Sequence, residues 1–345
     1  MSALEPAVYL HGLAAYVPAR RVSMADAIAA GRYDQARASR DGFSALAVEE
    51  HRTTMDMARE VGQHALHNAD VSQVNGLIFA SIHRHGFHHL WPAASYLQDT
   101  LGLPPSALAF SLNQGCNALF AAFKTLLPGV RSGALGEALV IGADCFNGSA
   151  FDRWNSDLGT LYGDGASAVR LSLQPGPLKI LFLDIEAGAG LEGLYRNASA
   201  LPETPESSHS LHQIGDAKRA WFDQHGRERF QALFDQTLGR LRDRLLAKHD
   251  LLRQPARYVV YPNVGAGVSA GLYTRWFADL AQHDHWGYGR SIGHTGVSDQ
   301  LLGLADLLQG GQLRPGDQLL LIGAGNGLNV SALLLEVMPD KASSG

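Results

Sequence analysis

Cysteine is scarce in this chain, with two among 345 residues. That excludes a disulfide framework and makes a reducing compartment the default. Charge is thin as well: 18% of residues, with a net of −5. There is no basic excess to hold a phosphate backbone, so nucleic acid is not an expected partner. No run reaches the roughly 18 apolar residues that a membrane span needs, so no membrane partner is expected either. The opening, "MSALEPAVYLHGLAAYVPARR", carries an early acid and no basic leader. It reads as a strand and turn and not as a signal peptide. The expectation is a soluble, cytoplasmic protein.

What the chain does have is 46% hydrophobic residues and 38 glycines, enough for a large core crossed by many tight turns. Short apolar runs stand at 7–13, 76–82, 138–144, 258–264 and 318–325. Several lack strict alternation, which suits strands buried on both faces. Helical spacing lies between them. Met57, Val61, Ala65 and Leu66 fall on one face of 53–69, and 228–249 repeats apolar residues in the same way. The alternation predicts an α/β layered fold.

Two landmark pairs share one offset of 181 residues: "GLIFAS" at 76 with "RYVVYP" at 257, and "ALVIGAD" at 138 with "LLLIGAG" at 319. This reads as an internal duplication, with an N-terminal half over 1–174 and a C-terminal half over 175–345. Cys116, in "NQGCNALF", precedes an apolar helical run, where helix N–H groups favour a thiolate. His294, in "GHTGVSD", lies in the matching loop of the other half. Twofold symmetry brings such loops together, and a cysteine with a histidine is what nucleophilic catalysis needs. Asp299 follows as a candidate to orient the imidazole, or as a helix cap. The turn "GAGNGLN" (323–329) lets backbone N–H groups approach a ligand closely. Cys145 reads as structural. "HRHGFHH" (83–89) offers His85, His88 and His89 for a metal, without a supporting cysteine or carboxylate, and no metal is expected. Residues 196–218 read as a long exposed loop.

These stretches resemble the β-ketoacyl-acyl-carrier-protein synthase III family of the thiolase superfamily. The resemblance rests on "LHGLAAYVPARRV" (10–22), "WPAASYLQDTLGL" (91–103), "NQGCNALFAA", "LYGDGASAVRLS" (161–172) and "LLLIGAGNGLNVSALLLE". It implies a five-layered αβαβα thiolase-like fold, a homodimer, acyl-thioester substrates and no tightly bound cofactor. It also implies an oxyanion hole from the N–H groups of Cys116 and Asn326. Two positions depart from the family pattern. Asn263 stands where the family has histidine, and His294 stands where it has asparagine.

An imidazole at 294 suits a base beside Cys116. A divergent branch of the family uses such chemistry to move acyl groups, malonyl included, onto sugar hydroxyls of glycosylated polyketides in antibiotic biosynthesis. The expected function is therefore transfer of a small acyl group from coenzyme A (malonyl-CoA) or an acyl carrier protein, through Cys116, to a small-molecule hydroxyl. Catalytic candidates are Cys116, His294, Asp299 and Asn263, the last donating to the acyl group or acceptor. Trp91 takes the place of a family phenylalanine that lines the partner subunit's acyl pocket, and would shorten that pocket. Arg32, Arg37 and Arg40 give no clear coenzyme A clasp and read as solvated. A decarboxylating condensing enzyme and a non-catalytic scaffold subunit are the alternatives.

Overall fold

The computed structural model describes residues 5–82, 91–147, 151–196 and 214–339. The chain enters through β1 (Tyr9–Tyr16) and makes an excursion through β2 (Arg21–Ser23), α1 (Met24–Ala29), α2 (Gln35–Asp41) and β3 (Ala45–Ala47). It returns with α3 (Thr54–Ala65), β4 (Val74–Ala80), α4 (Ala93–Thr100), β5 (Leu108–Leu112), α5 (Ala118–Arg131), β6 (Glu137–Asp144) and β7 (Gly165–Ser172). A second passage follows with β8 (Leu178–Ala187), α6 (Ile214–His225), α7 (Arg227–Leu246) and β9 (Ala256–Val260). Next come α8 (Ala266–Ser269), α9 (Arg275–Phe277), β10 (Ala281–Asp284) and α10 (Trp286–Gly289). The chain closes with α11 (Asp299–Gln309), β11 (Gln318–Gly325) and β12 (Asn329–Val337).

The strands form two sets of the same design. One runs β5-β4-β6-β7-β1, the other β10-β9-β11-β12-β8. In each, the first three are parallel and the last two antiparallel. They meet where Tyr9 and Leu10 of β1 pair with Lys179 and Leu178 of β8, so one ladder passes through all ten strands. The 181-residue offset recurs in the element boundaries: β6 and β11 start at 137 and 318, α5 and α11 at 118 and 299.

Both sheets need cover on both faces, because their strands carry apolar residues on both. Helices α5 and α11 lie between the sheets. α5 packs on β4, β6 and β7 of one set and on β8 of the other; α11 packs on β9 and β11 and on β1 and β7. Outside lie α3 and α4 against the first set and α7 against the second. The result is the five-layered αβαβα arrangement of the thiolase-like fold. Phe120 and Phe123 of α5 and Leu304 and Leu307 of α11 are buried among Val140, Leu319 and Leu321. Each such side chain contributes about 1.5–3 kcal/mol by leaving water.

Helix α3 starts at a capping box, in which the Thr53 and Asp56 side chains satisfy each other's backbone N–H groups. It buries Met57, Val61 and Ala65. Part of the loop expected over 196–218 is helical, since α6 begins at Ile214. Residues 197–213 of that stretch, and His85, His88 and His89, lie outside the described residues.

Candidate active site

Cys116 stands two residues ahead of α5, in a turn made by Gly115 with φ of +58°. A Cβ at Gly115 would lie 2.5 Å from the backbone nitrogen of Asn326. The turn linking β11 to β12 therefore rests directly on the cysteine turn, and only glycine fits there. Gly115→Ala is expected to cost roughly 1–3 kcal/mol of stability through the left-handed conformation and the clash. A thermal melt checks this; an unchanged midpoint would mean that the two turns part freely.

His294 arrives from the opposite side. Its backbone N–H donates to the Leu161 carbonyl at 2.8 Å, and its carbonyl accepts from the Gly163 N–H at 3.0 Å. The "LYGDGASA" stretch is thus the cradle of the histidine loop. Asp164 of that stretch, fully buried, anchors it by accepting from the Glu49 and Phe146 N–H groups and pairing with Arg153 at 3.1 Å. Asp144, at the end of β6, accepts from the Val297 N–H at 3.1 Å and from the Ile82 N–H at 2.8 Å.

Three side chains then line up. His294 Nε2 is 3.0 Å from Cys116 Sγ, and His294 Nδ1 is 2.6 Å from Asp299 Oδ2. A carboxylate only accepts, so Nδ1 carries a proton and Nε2 faces the sulfur. Asp299, 1% exposed, also accepts from the Asn263 N–H at 2.8 Å, the Thr295 N–H at 2.7 Å and the Thr295 hydroxyl at 2.7 Å. So many donors fix the carboxylate in place. Burial of the imidazole works against its charge, but the Asp299 and Cys116 charges beside it outweigh this. The His294 pKa is held well above its ordinary value.

The structure changes the part given to Asn263. Its side-chain Nδ2 donates to the Gly293 carbonyl at 2.9 Å and to Asp299 Oδ1 at 3.3 Å. Both amide hydrogens are spent inside the wall, and the side chain does not line the cavity. Asn263 braces Asp299 and the histidine loop and has no donor left for an acyl group. Trp91 packs on Tyr96, 5.7 Å between ring centroids, and is absent from the cavity wall of its own chain. Burial pushes the Cys145 thiol up to about 11, which leaves it inert. Arg40 pairs with Asp41, and Arg37 donates to Asn155 Oδ1 at 2.8 Å. Among the described residues, no three His, Cys, Asp or Glu side chains gather as metal ligands. No helix among them is long and apolar enough to cross a membrane.

Cys116 and His294 open into a cavity of about 300 Å³. Phe230, Phe234, Leu272 and Tyr273 make much of its wall, and Gly325 and Asn326 border it beside the cysteine. The sequence reading missed Thr295, Tyr162 and a buried ion pair, Asp157 with Lys218. Tyr162 sat inside the quoted "LYGDGASAVRLS" stretch, and its ring lies 5.4 Å from that of His294. Lys218 carried no signal, because 61 residues separate it from its partner.

A thiolase-like fold with a cysteine and a histidine at the meeting point of its halves defines an acyl-transferring enzyme. The family profile "3-Oxoacyl-[acyl-carrier-protein (ACP)] synthase III" matches residues 110–188, and the C-terminal profile of the same family matches 278–337. In both stretches the chain is similar to the 3-oxoacyl-[acyl-carrier-protein] synthase III family. The beta-ketoacyl-[acyl-carrier-protein] synthase III 2 of Vibrio cholerae is 28% identical over 82% of this chain and 75% of its own. Among solved structures, the acyltransferase ChlB3 aligns with a TM-score of 0.86 and 27% identity, covering 96% of this chain and 98% of its own. The 3-oxoacyl-(acyl carrier protein) synthase III from Pseudomonas aeruginosa aligns at a TM-score of 0.71 and 21% identity, over 96% and 99%. It shares the fold.

Proposed function

We propose that the protein transfers an acyl group, malonyl by preference, from a coenzyme A or carrier-protein thioester to a hydroxyl. The acceptor is a sugar of a glycosylated polyketide, and the working unit is a cytoplasmic homodimer of two-half chains, 1–174 and 175–345, with Trp91 facing the partner's acyl pocket. The observation that carries the reading is the alignment of Cys116, His294 and Asp299 at hydrogen-bonding distances.

In the first step Cys116 Sγ, as the thiolate beside a protonated His294, attacks the thioester carbonyl, the carbon–sulfur bond to the donor breaks, and the donor thiolate leaves with the Nε2 proton of His294. The N–H groups of Cys116 and the 325–327 turn receive the oxyanion of the tetrahedral intermediate. Acylation removes the sulfur's charge, and with it one of the two supports of the His294 imidazolium. His294, left neutral at Nε2 by the first step, then accepts the proton of the acceptor hydroxyl. The hydroxyl oxygen bonds to the acyl carbon, Cys116 leaves, and the ester is complete. Asp299 holds the ring in the tautomer that keeps Nε2 toward the reacting atoms. The likeness to the acyltransferase ChlB3 supports this reading.

Carbon–carbon bond formation by decarboxylation needs donors on the developing enolate oxygen. Asn263 has spent its amide hydrogens elsewhere, which favours ester formation over condensation. Incubation with carboxyl-labelled malonyl thioester tests the choice. The expected result is a malonyl adduct on Cys116 by intact mass, with label kept and little carbon dioxide released. An acetyl adduct with stoichiometric carbon dioxide would establish the condensing reaction instead.

A further inference from the structure

The cavity wall is largely apolar and aromatic, yet it contains a buried ion pair that the transfer mechanism does not use. Lys218 Nζ lies 2.6 Å from Asp157 Oδ1, and the two side chains are 12% and 3% exposed. The ammonium also sits 4.8 Å from the centre of the Tyr195 ring. The other Asp157 oxygen accepts from the Tyr162 hydroxyl at 3.0 Å, and Tyr162 is the ring beside His294. The pair therefore continues the wall that starts at the reacting atoms. Desolvating two charges is costly, and a well-packed apolar pair would serve the fold as well.

The place of the ammonium in the cavity wall points to a ligand. Apart from the cysteine and histidine, the charged side chains among the described residues of the wall are Asp157, Lys218 and Arg227. Arg227 is exposed to solvent, so the buried part of the wall holds one anion and one cation. A ligand carboxylate reaching Lys218 would meet the ammonium where few water molecules can. An ammonium has three donors; Asp157 takes one and the Tyr195 side chain a second, which leaves one.

We propose that Lys218 is a specificity-determining residue that binds the free carboxylate at the far end of the acyl group. Asp157 and Tyr195 position its ammonium. This rests on the acyl-cysteine reading above and deepens it, since it names what the site reads in a dicarboxylic acyl donor. It also bears on the fate of that carboxylate. Decarboxylation moves the electron pair of the carbon–carboxylate bond toward the thioester. A cation on the carboxylate stabilises the starting state more than that transition state, so the carboxylate is retained.

The test is the rate of Cys116 acylation, read by intact mass, with malonyl-, succinyl-, acetyl- and butyryl-coenzyme A. All four carry the same phosphates, so a difference belongs to the acyl end. The wild-type chain is expected to prefer the two carboxylate-bearing donors. In K218M the malonyl-to-acetyl ratio should fall by about ten- to a hundredfold, the weight of a hydrogen bond to a charged group. K218R should recover much of the ratio. D157N/K218M removes both charges and should show the same loss, which separates lost recognition from a stranded Asp157. A wild-type chain that acylates without preference, or a K218M ratio equal to wild type, overturns the inference and leaves the acyl-cysteine reading standing. No acylation of the wild type by any of the four, nor by the same acyl groups carried on an acyl carrier protein, overturns both.

Discussion

Cys116→Ala is expected to abolish acyl-enzyme formation and to lower transfer at least about a thousandfold. The sulfur is the atom that His294 Nε2 approaches at 3.0 Å, and the other cysteine is buried with its thiol pushed up to about 11. Among the described residues of the cavity wall, no other cysteine stands at the junction of the halves. The substitution removes one atom from a partly exposed position, so the melting temperature should stay close to wild type. Intact mass after exposure to malonyl thioester, beside a melt of the same sample, gives both readouts. A variant that still gains an acyl mass, or transfers at the wild-type rate, would mean that Cys116 is not the nucleophile.

The second large effect belongs to Asp299→Asn. An amide keeps the shape but offers Nδ1 a donor or a weak acceptor, which spoils the tautomer. Losses of about a hundred- to ten-thousandfold in kcat follow from such changes in comparable triads. The pH profile gives a sign as well. With Asp299 present, the His294 pKa stands well above its ordinary value, so the neutral base appears only as the pH rises through that raised value. Transfer by the wild type should therefore climb with pH above neutrality. Removing the carboxylate removes one of the charges that hold the proton, so in the variant the climb begins at lower pH and ends on a much lower plateau. A profile displaced upward, or kcat unchanged, would show that Asp299 does not act through His294.

Much of the architecture was legible beforehand, for a reason visible in particular elements. β6 and β11 carry no polar side chain between their end residues because both faces are covered, and such runs announce themselves without alternation. Two copies at one spacing exposed the repeated plan, and symmetry then brought Cys116 and His294 together. The part of Asn263 was not legible. Its residue type matched a donor role, but the direction of its amide depends on Gly293 and Asp299, 30 and 36 residues further on. The same holds for Lys218. A lysine after a polar stretch looks solvated until the fold sets a buried aspartate against it.

The sequence by itself therefore determined the α/β layering, the repeat and the cysteine and histidine that the fold sets side by side. Those follow from local periodicity and from residue types that few structural needs explain. Only the tertiary structure decided which way each buried polar group points. A hydrogen bond is short and directional, and its partners here come from distant parts of the chain. Thus Asp299 became the brace of His294, Asn263 turned into the wall, and Lys218 entered the cavity as its buried cation.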